Sequence, residues 1–289
     1  MATANMKDVK RRIKSVESTM QITKAMELVA SSKMRRAKMR AEAAQPFFKV
    51  LYDTMSEISE DKSFRSVFAQ QNDNRKTLLV VIAGDRGLAG GFNSNVLKLA
   101  QQRADELQAA DEAVMIMPIG RKSVEFFSKR KYQMSESYPN IAENMDTYIS
   151  DDLADVILDG FKNGDYNSVE LVYTTLVSAL SQEPVNVQIL PVKHLDNGVE
   201  DNATALTVYD PSPEAVFDGM IPQYISGLVY SAIVDSFASE QAARRTAMES
   251  ASDNAGEMID QLSLLYNRAR QAVITQELTE ISSASLRDE

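Results

Sequence analysis

The sequence predicts an α/β body joined to two long terminal helices that form an antiparallel α-helical coiled coil. Three observations predict this fold class. Both ends of the chain lack turn residues, the two ends carry opposite charge, and the middle alternates β-rich apolar runs with helical patterns. We expect three parts, over residues 1–60, 75–195 and 212–289.

The N-terminal part is predicted to be one long helix, because residues 7–45 contain no glycine or proline. A 4-3 spacing of seam positions runs along it, with small residues in the second half that allow close helix approach. The seam comprises Val9, Ile13, Val16, Met20, Thr23, Glu27, Ala30, Met34, Ala37, Ala41 and Ala44. Residues 7–40 hold eleven basic and three acidic side chains, a net charge of +8.

The C-terminal part is predicted to be a second long helix that begins at Ser212 and Pro213, a typical N-cap and first helical position. Its expected seam positions are Met258, Leu262, Leu265, Ala269 and Ala272. A helix of about 70 residues would be about 100 Å long, which exceeds any single core. Since residues 213–289 hold twelve acidic and five basic side chains, the basic N-terminal helix is the expected partner.

The middle part is predicted to form a mostly parallel sheet with helices on both faces. The expected strands are residues 78–84, 114–120, 169–176 and 185–192. The expected helices are residues 96–107, 122–131 and 151–161. Strands that alternate with helices in this way are typical of Rossmann-like bodies.

The glycine-rich stretch GDRGLAGGFN follows the first predicted strand, where dinucleotide folds hold a phosphate. Its glycines, at 84, 87, 90 and 91, fit neither G-x-G-x-x-G nor a Walker loop. We therefore predict a Rossmann-like body without a nucleotide site, in which Asn93 or Ser94 caps the next helix. A nucleotide-dependent enzyme is the alternative interpretation.

Composition excludes several kinds of chemistry. The chain has no cysteine and one histidine, His194, so disulfides, thiolate nucleophiles and cysteine metal sites are absent, and no catalytic constellation or cofactor is predicted. A net charge of −10 argues against general nucleic-acid binding. No apolar stretch approaches the roughly 20 residues that span a bilayer, so we expect a cytosolic protein or one peripheral on the inner membrane face.

A run of basic residues from 33 to 40 has three interpretations: a nucleic-acid stripe, a solvated face paired with the acidic C-terminal helix, or a belt that docks acidic protein loops. The absence of interleaved aromatic residues disfavours the first. The basic belt comprises Lys33, Arg35 and Arg36.

Four segments resemble the gamma subunits of bacterial F-type ATP synthases. They are residues 13–30, 84–93, 238–248 and 266–281, which lie in the right order and span nearly the whole chain. The resemblance implies a central rotor shaft that couples ion-driven rotation of a membrane c-ring to ATP synthesis or hydrolysis on beta subunits. It implies a non-catalytic chain without cofactor, metal or small-molecule substrate, peripheral on the cytoplasmic face of the cell membrane. The implied partners are the alpha and beta subunits, the epsilon subunit and the c-ring.

The resemblance also implies contact residues. Lys24 and Met26 would face acidic lever loops of beta. The other beta contacts would be Arg244, Gln271, Thr275 and Glu280. Thr207 and Tyr209 would lie at the foot, near the c-ring. The final residues, after Ile281, depart from the family pattern, and the lack of cysteine excludes the thiol-regulated chloroplast form.

Overall fold

The computed structural model describes residues 2–59, 66–69, 74–192 and 209–285, with the side chains of residues 2–5, 59 and 280–285 left out. The elements in chain order are α1 (Ala2–Ser59), β1 (Lys76–Ile82), α2 (Phe92–Ala109), β2 (Ala113–Ile119), α3 (Arg121–Lys129), β3 (Gln133–Met134), a 3₁₀ helix (Ala142–Asn144), α4 (Thr147–Lys162), β4 (Ser168–Leu176), β5 (Gln182–Leu190) and α5 (Pro213–Ser285). Among the described residues, no helix contains a stretch both apolar and long enough to cross a bilayer.

The five strands form one sheet in the order β3-β2-β1-β4-β5. All neighbours are parallel except β4 and β5, which form an antiparallel hairpin. The predicted fold class is confirmed, and the predicted strands and helices of the middle part match the observed ones to within four residues at either end. Strand β3 was not predicted, because two residues are too short for a strand pattern.

The sheet is covered on both faces, which explains its nearly continuous apolar strands. On one face, Leu78 and Val80 of β1 pack in a core with α4, residues 37–58 of α1 and residues 217–238 of α5. On the other face, Leu79 and Val81 pack with α2 and α3. The described residues between 31 and 243 make up this body, which is one compact unit.

A second compact unit consists of residues 2–30 of α1 with residues 244–285 of α5, here called the two-helix unit. The division therefore falls inside both long helices, because residues 31–59 and 213–243 belong with the sheet. The three parts predicted from the sequence instead keep each long helix whole and separate from the sheet region. Each unit is described by itself below.

The two helices of the second unit are antiparallel. The Thr23 and Ser252 hydroxyl oxygens are 2.7 Å apart, and the unit ends at Ala30 in α1 and begins at Arg244 in α5. The contact therefore lies seven residues before the end of the α1 segment and eight residues after the start of the α5 segment, as antiparallel packing requires. The predicted seam of α1 is confirmed, since all of its positions are buried or half-buried both in this unit and in the body.

The predicted seam of α5 is partly wrong. Met258, Leu265 and Ala272 are exposed, whereas Leu262 and Ala269 are on the seam as expected. The buried and half-buried positions at alternating spacings of three and four are Ser252, Ala255, Ile259, Leu262, Tyr266, Ala269 and Val273. The error has a simple cause: apolar residues come in adjacent pairs at 258–259 and 272–273, so two seam phases are both apolar in the sequence.

Candidate partner-binding surfaces

The outer surface of the two-helix unit carries many large apolar side chains that do not face the seam. Their exposed fractions range from 42% to 63%. They are Ile22, Leu28 and Val29 on α1 and Met258, Leu264, Leu265, Ile274 and Leu278 on α5. Apolar side chains exposed in this number on a slender pair of helices indicate a surface that a partner protein covers.

Lys24 lies on the outer surface of this unit within an acidic environment. Its Nζ is 3.0 Å from Glu27 Oε2 on the same helix. The contact that Lys24 donates to the Glu27 carboxylate raises the pKa of Lys24, and the charges of Glu249 and Asp253 on α5 raise it further. This attraction agrees with the expected pairing of the basic N-terminal helix with the acidic C-terminal helix. Met26 is half-buried two residues further on.

The predicted contact residues of α5 do not share one surface. Arg244 is buried, with 7% of its surface exposed. Gln271 and Thr275 are exposed, and the Thr275 hydroxyl donates to the Gln271 carbonyl at 2.9 Å. The hydroxyl is therefore satisfied by its own helix. Glu280 is within α5, but its side chain lies outside the described part.

The basic belt lies in the body, and its Lys33 pairs with an acid from the 3₁₀ helix. Lys33 Nζ donates to Glu143 Oε1 at 2.6 Å, and Arg40 donates to the Glu143 carbonyl at 3.5 Å. The hydrogen bond from Lys33 lowers the pKa of Glu143, and the charges of Arg86 and Arg36 add to the effect. Within this chain, Lys33 thus pairs with Glu143 and not with the acidic C-terminal helix.

Two members of the belt remain on the surface. Arg35 and Arg36 are both exposed, and Arg36 is close enough to Glu143 for their charges to interact. Of the predicted foot residues, Thr207 lies outside the described residues. Tyr209 is half-buried against the core that includes α4 and the first strand.

The glycine-rich stretch after β1 forms a tight connection, but its hydrogen bonds differ from the prediction. Asn93 Oδ1 accepts from the Gly84 backbone N–H at 2.8 Å, and α2 begins after Gly91 without a side-chain cap. The predicted capping by Asn93 or Ser94 is therefore wrong. Asp85 Oδ1 instead accepts the backbone N–H groups of Arg121 and Asn140, each at 2.8 Å.

An acidic side chain occupies the space beside Gly84. A Cβ placed on Gly84 would lie 2.8 Å from Cδ of Glu240, whose residue is 5% exposed. The carboxyl end of β1 is the point where the strand order reverses, which is where open α/β sheets bind phosphates. Here a carboxylate from α5 lies at that point. No local sequence pattern predicts this contact, because 156 residues separate the two positions.

Comparison with known proteins identifies the family. The sequence model of the ATP synthase family matches residues 5–285. The ATP synthase gamma chain of Ruminococcus albus is 61% identical over 285 residues, which cover 99% of each chain. This chain belongs to the ATP synthase gamma-chain family.

Other members of the family agree with this assignment. The sodium-ion-specific ATP synthase gamma chain of Acetobacterium woodii is 39% identical and is covered over 96% of both chains. A chain from the central stalk and c-ring structure of Tetrahymena thermophila mitochondrial ATP synthase is 27% identical with a TM-score of 0.60. That alignment covers 80% of this chain and 99% of the other, so the two chains share a fold over most of their length.

Proposed function

We propose that this gamma chain is the central rotor shaft of an F-type ATP synthase. It couples ion-driven rotation of the membrane c-ring to ATP synthesis or hydrolysis on the beta subunits, and it has no active site of its own. The observation that carries the proposal is the apolar outer surface of the two-helix unit. Side chains such as Leu28 and Leu278, each 63% exposed, would be covered inside a ring of alpha and beta subunits.

This surface suits a shaft that turns against several partners. Its exposed side chains are aliphatic or methionine, as at Ile22 and Met258, and bind through contact area without directional hydrogen bonds. Such contacts lose little free energy when the shaft rotates from one subunit to the next. Large interdigitating side chains would hold one register.

The body supports a non-catalytic role. Phosphate binding at the end of β1 needs backbone N–H groups and space for an anion. Asn93 Oδ1 accepts the Gly84 N–H, and the Glu240 side chain fills the adjacent space. A side chain that fills this space leaves no room for a nucleotide phosphate.

The proposed beta contacts on the two-helix unit are Lys24, Met26, Gln271, Thr275 and Glu280. Arg244 is the sixth proposed beta contact, and it would meet beta through the 7% of its surface that is exposed. In the body, the belt residues proposed to meet acidic loops of beta are Lys33, which also pairs with Glu143, and the exposed Arg35 and Arg36. Thr207 and Tyr209 would lie near the c-ring, and the epsilon subunit would bind the body. The whole complex would be held at the cytoplasmic face of the membrane.

The first test is assembly. An affinity-tagged chain expressed in its native host should co-purify with the alpha, beta and epsilon subunits. Mixing the purified chain with alpha and beta subunits should yield an ATPase, whereas calorimetry of the chain alone with ATP should show no binding. Recovery without alpha or beta subunits, or ATP binding by the chain alone, would contradict the proposal.

The second test concerns the exposed charges. We expect Arg36→Glu and Lys24→Glu to lower ion pumping per ATP hydrolysed in the assembled complex, because each places a repulsive charge against acidic loops. The defect should diminish at high salt, since exposed charges are screened over about 8 to 10 Å. Glu17→Lys, a charge reversal at an exposed position of α1, is the control. Unchanged coupling for both variants at low salt would remove these residues from the contact surface.

A further inference from the structure

Two buried hydroxyls meet across the seam of the two-helix unit. Thr23 of α1 is 9% exposed and Ser252 of α5 is 8% exposed, and their oxygens are 2.7 Å apart. Neighbouring seam positions such as Ala30, Ala255 and Leu262 are apolar and equally buried. A hydrogen bond in such surroundings joins the helices at one defined point.

The hydrogen bonds of the two hydroxyls can be satisfied together. Thr23 Oγ1 lies 3.0 Å from the Met20 carbonyl, and Ser252 Oγ lies 2.9 Å from the Met248 carbonyl. Each hydroxyl has one proton. One donates across the seam and the other donates to its own helix, and the two arrangements are equivalent in number of bonds. The cross-seam bond persists in both.

The charges outside the seam favour the same alignment. Lys24 follows Thr23 directly, and Asp253 follows Ser252. The charges of Glu249 and Asp253 attract Lys24 in the observed alignment. The hydroxyl pair and the surface charges therefore agree on how the two helices lie along each other.

Other alignments would separate the two hydroxyls. If one helix moved by a heptad, Thr23 would lie opposite Ile259 and Ser252 opposite Ala30. Neither apolar side chain can accept or donate a hydrogen bond. A smaller displacement would stretch the cross-seam bond, and it would also move Lys24 away from the acids of α5. A buried polar pair among mainly apolar seam positions is a recognised way to specify alignment in coiled coils.

We propose that Thr23 and Ser252 are positioning residues that hold the two helices of the shaft in fixed alignment beside Lys24. This inference rests on the proposed function, because the fixed alignment matters when torque passes along two helices that could slide past each other. The pair would keep the beta contacts on α1 and α5 in one geometry during rotation. It acts through alignment and touches no nucleotide.

The alignment itself can be tested without any partner. The chain has no cysteine, so Met20→Cys with Ala255→Cys reports the observed alignment, and Met20→Cys with Leu262→Cys reports a shift of one heptad. With a short thiol cross-linker, we expect only the first pair to react in the otherwise native chain. Adding Thr23→Val and Ser252→Ala should slow the first cross-link at least about threefold. An unchanged rate would overturn the proposal, even if the chain proved not to be a rotor.

The functional test uses the assembled complex and measures ion pumping and ATP hydrolysis in parallel. Thr23→Val and Ser252→Ala should each lower pumping per ATP at least about twofold, and the double variant should be no worse, because either change removes the same bond. Thr23→Ser combined with Ser252→Thr keeps both hydroxyls and should restore coupling.

Matched controls come from the exposed faces of the same helices. Thr19 bonds to the Ser15 carbonyl and Ser250 is exposed, so Thr19→Val and Ser250→Ala should leave coupling unchanged. The proposal is overturned if the double variant pumps normally, or if Thr19→Val lowers coupling as much as Thr23→Val. Failure of the unmodified chain to assemble would count against the proposed function alone.

Discussion

The ion pair between Arg103 on α2 and Glu170 on β4 should be a main contributor to the stability of the body. Arg103 donates two hydrogen bonds to the Glu170 carboxylate, at 2.8 and 2.7 Å, and Asn186 of β5 donates a third at 2.5 Å. The hydrogen bonds to Glu170 raise the pKa of Arg103 above its ordinary high value. The Glu170 side chain is 6% exposed, whereas that of Arg103 is 32% exposed.

This asymmetry in burial determines the expected effects. Arg103→Met would leave a buried carboxylate without its counter-charge, which costs about 3 kcal/mol, at the low end for buried pairs because Arg103 is partly solvated. Glu170→Gln should cost about 1 to 2 kcal/mol, since the guanidinium that remains can turn to water. Replacing both residues, as Arg103→Met with Glu170→Met, should be less destabilising than Arg103→Met alone.

The measurement is urea unfolding of the full chain followed by circular dichroism. Glu106→Gln is the control, because Arg103 also meets Glu106 at 3.5 Å on the exposed face of α2, where an ion pair contributes about 0 to 1 kcal/mol. The reasoning is refuted if Arg103→Met costs no more than Glu106→Gln, or if the double replacement is less stable than Arg103→Met.

Three further predictions concern other parts of the chain. Gly84→Ala should destabilise the body by about 1 to 3 kcal/mol, because the new Cβ would lie 2.8 Å from Cδ of Glu240. Lys33→Met should destabilise the body near neutral pH but not under acid conditions. The pKa of Glu143 is lowered in the fold, so its pair with Lys33 stabilises above the ordinary carboxyl pKa of about 4.3 and is lost as the pH falls through the lowered value. Ala30→Leu should overpack the two-helix unit at a cost of about 1 to 3 kcal/mol, measured by urea unfolding as for the other two.

Each of these three has a control on the same element or pair. Gly87→Ala should be close to neutral, because open space surrounds that position, and an equal loss at both glycines would contradict the first prediction. Glu143→Gln should remove the pH dependence of the Lys33 effect, and a dependence that persists would assign it to another group. Ala25→Leu, on the exposed face of α1, should be tolerated; if Ala30→Leu is tolerated equally, the close approach at the seam is wrong.

The sequence allowed most of the fold to be predicted, because its strongest signals are periodic. The 4-3 spacing from Val9 onward predicted which residues of α1 are buried, and the apolar runs predicted four strands of the sheet. The phase of the α5 seam was missed at Met258 and Ala272, where an apolar neighbour offers a second choice. Periodicity predicts that a segment is helical more reliably than it predicts which side of the helix is buried, when two adjacent sets of positions are both apolar.

The surfaces were less predictable, because they depend on contacts between distant residues. The pairing of Lys33 with Glu143 joins positions 110 residues apart, and nothing in the local pattern favours that acid over those of the C-terminal helix. Likewise, burial of Arg244 depends on how the helices pack. The beta-contact residues were inferred from the resemblance to the family. In the structure, Lys24 and Gln271 are exposed on the two-helix unit.

Rotation of this chain is the most direct test of the central claim. A complex of the chain with alpha and beta subunits would be fixed to a surface, and a bead attached through Ala179→Cys on the exposed β4–β5 turn would report the angle of the body. Because the native chain has no cysteine, the label is unique within it. On addition of ATP, we predict rotation in one direction with three pauses per turn. A complex that hydrolyses ATP at the full rate while the bead stays at one angle would contradict the account.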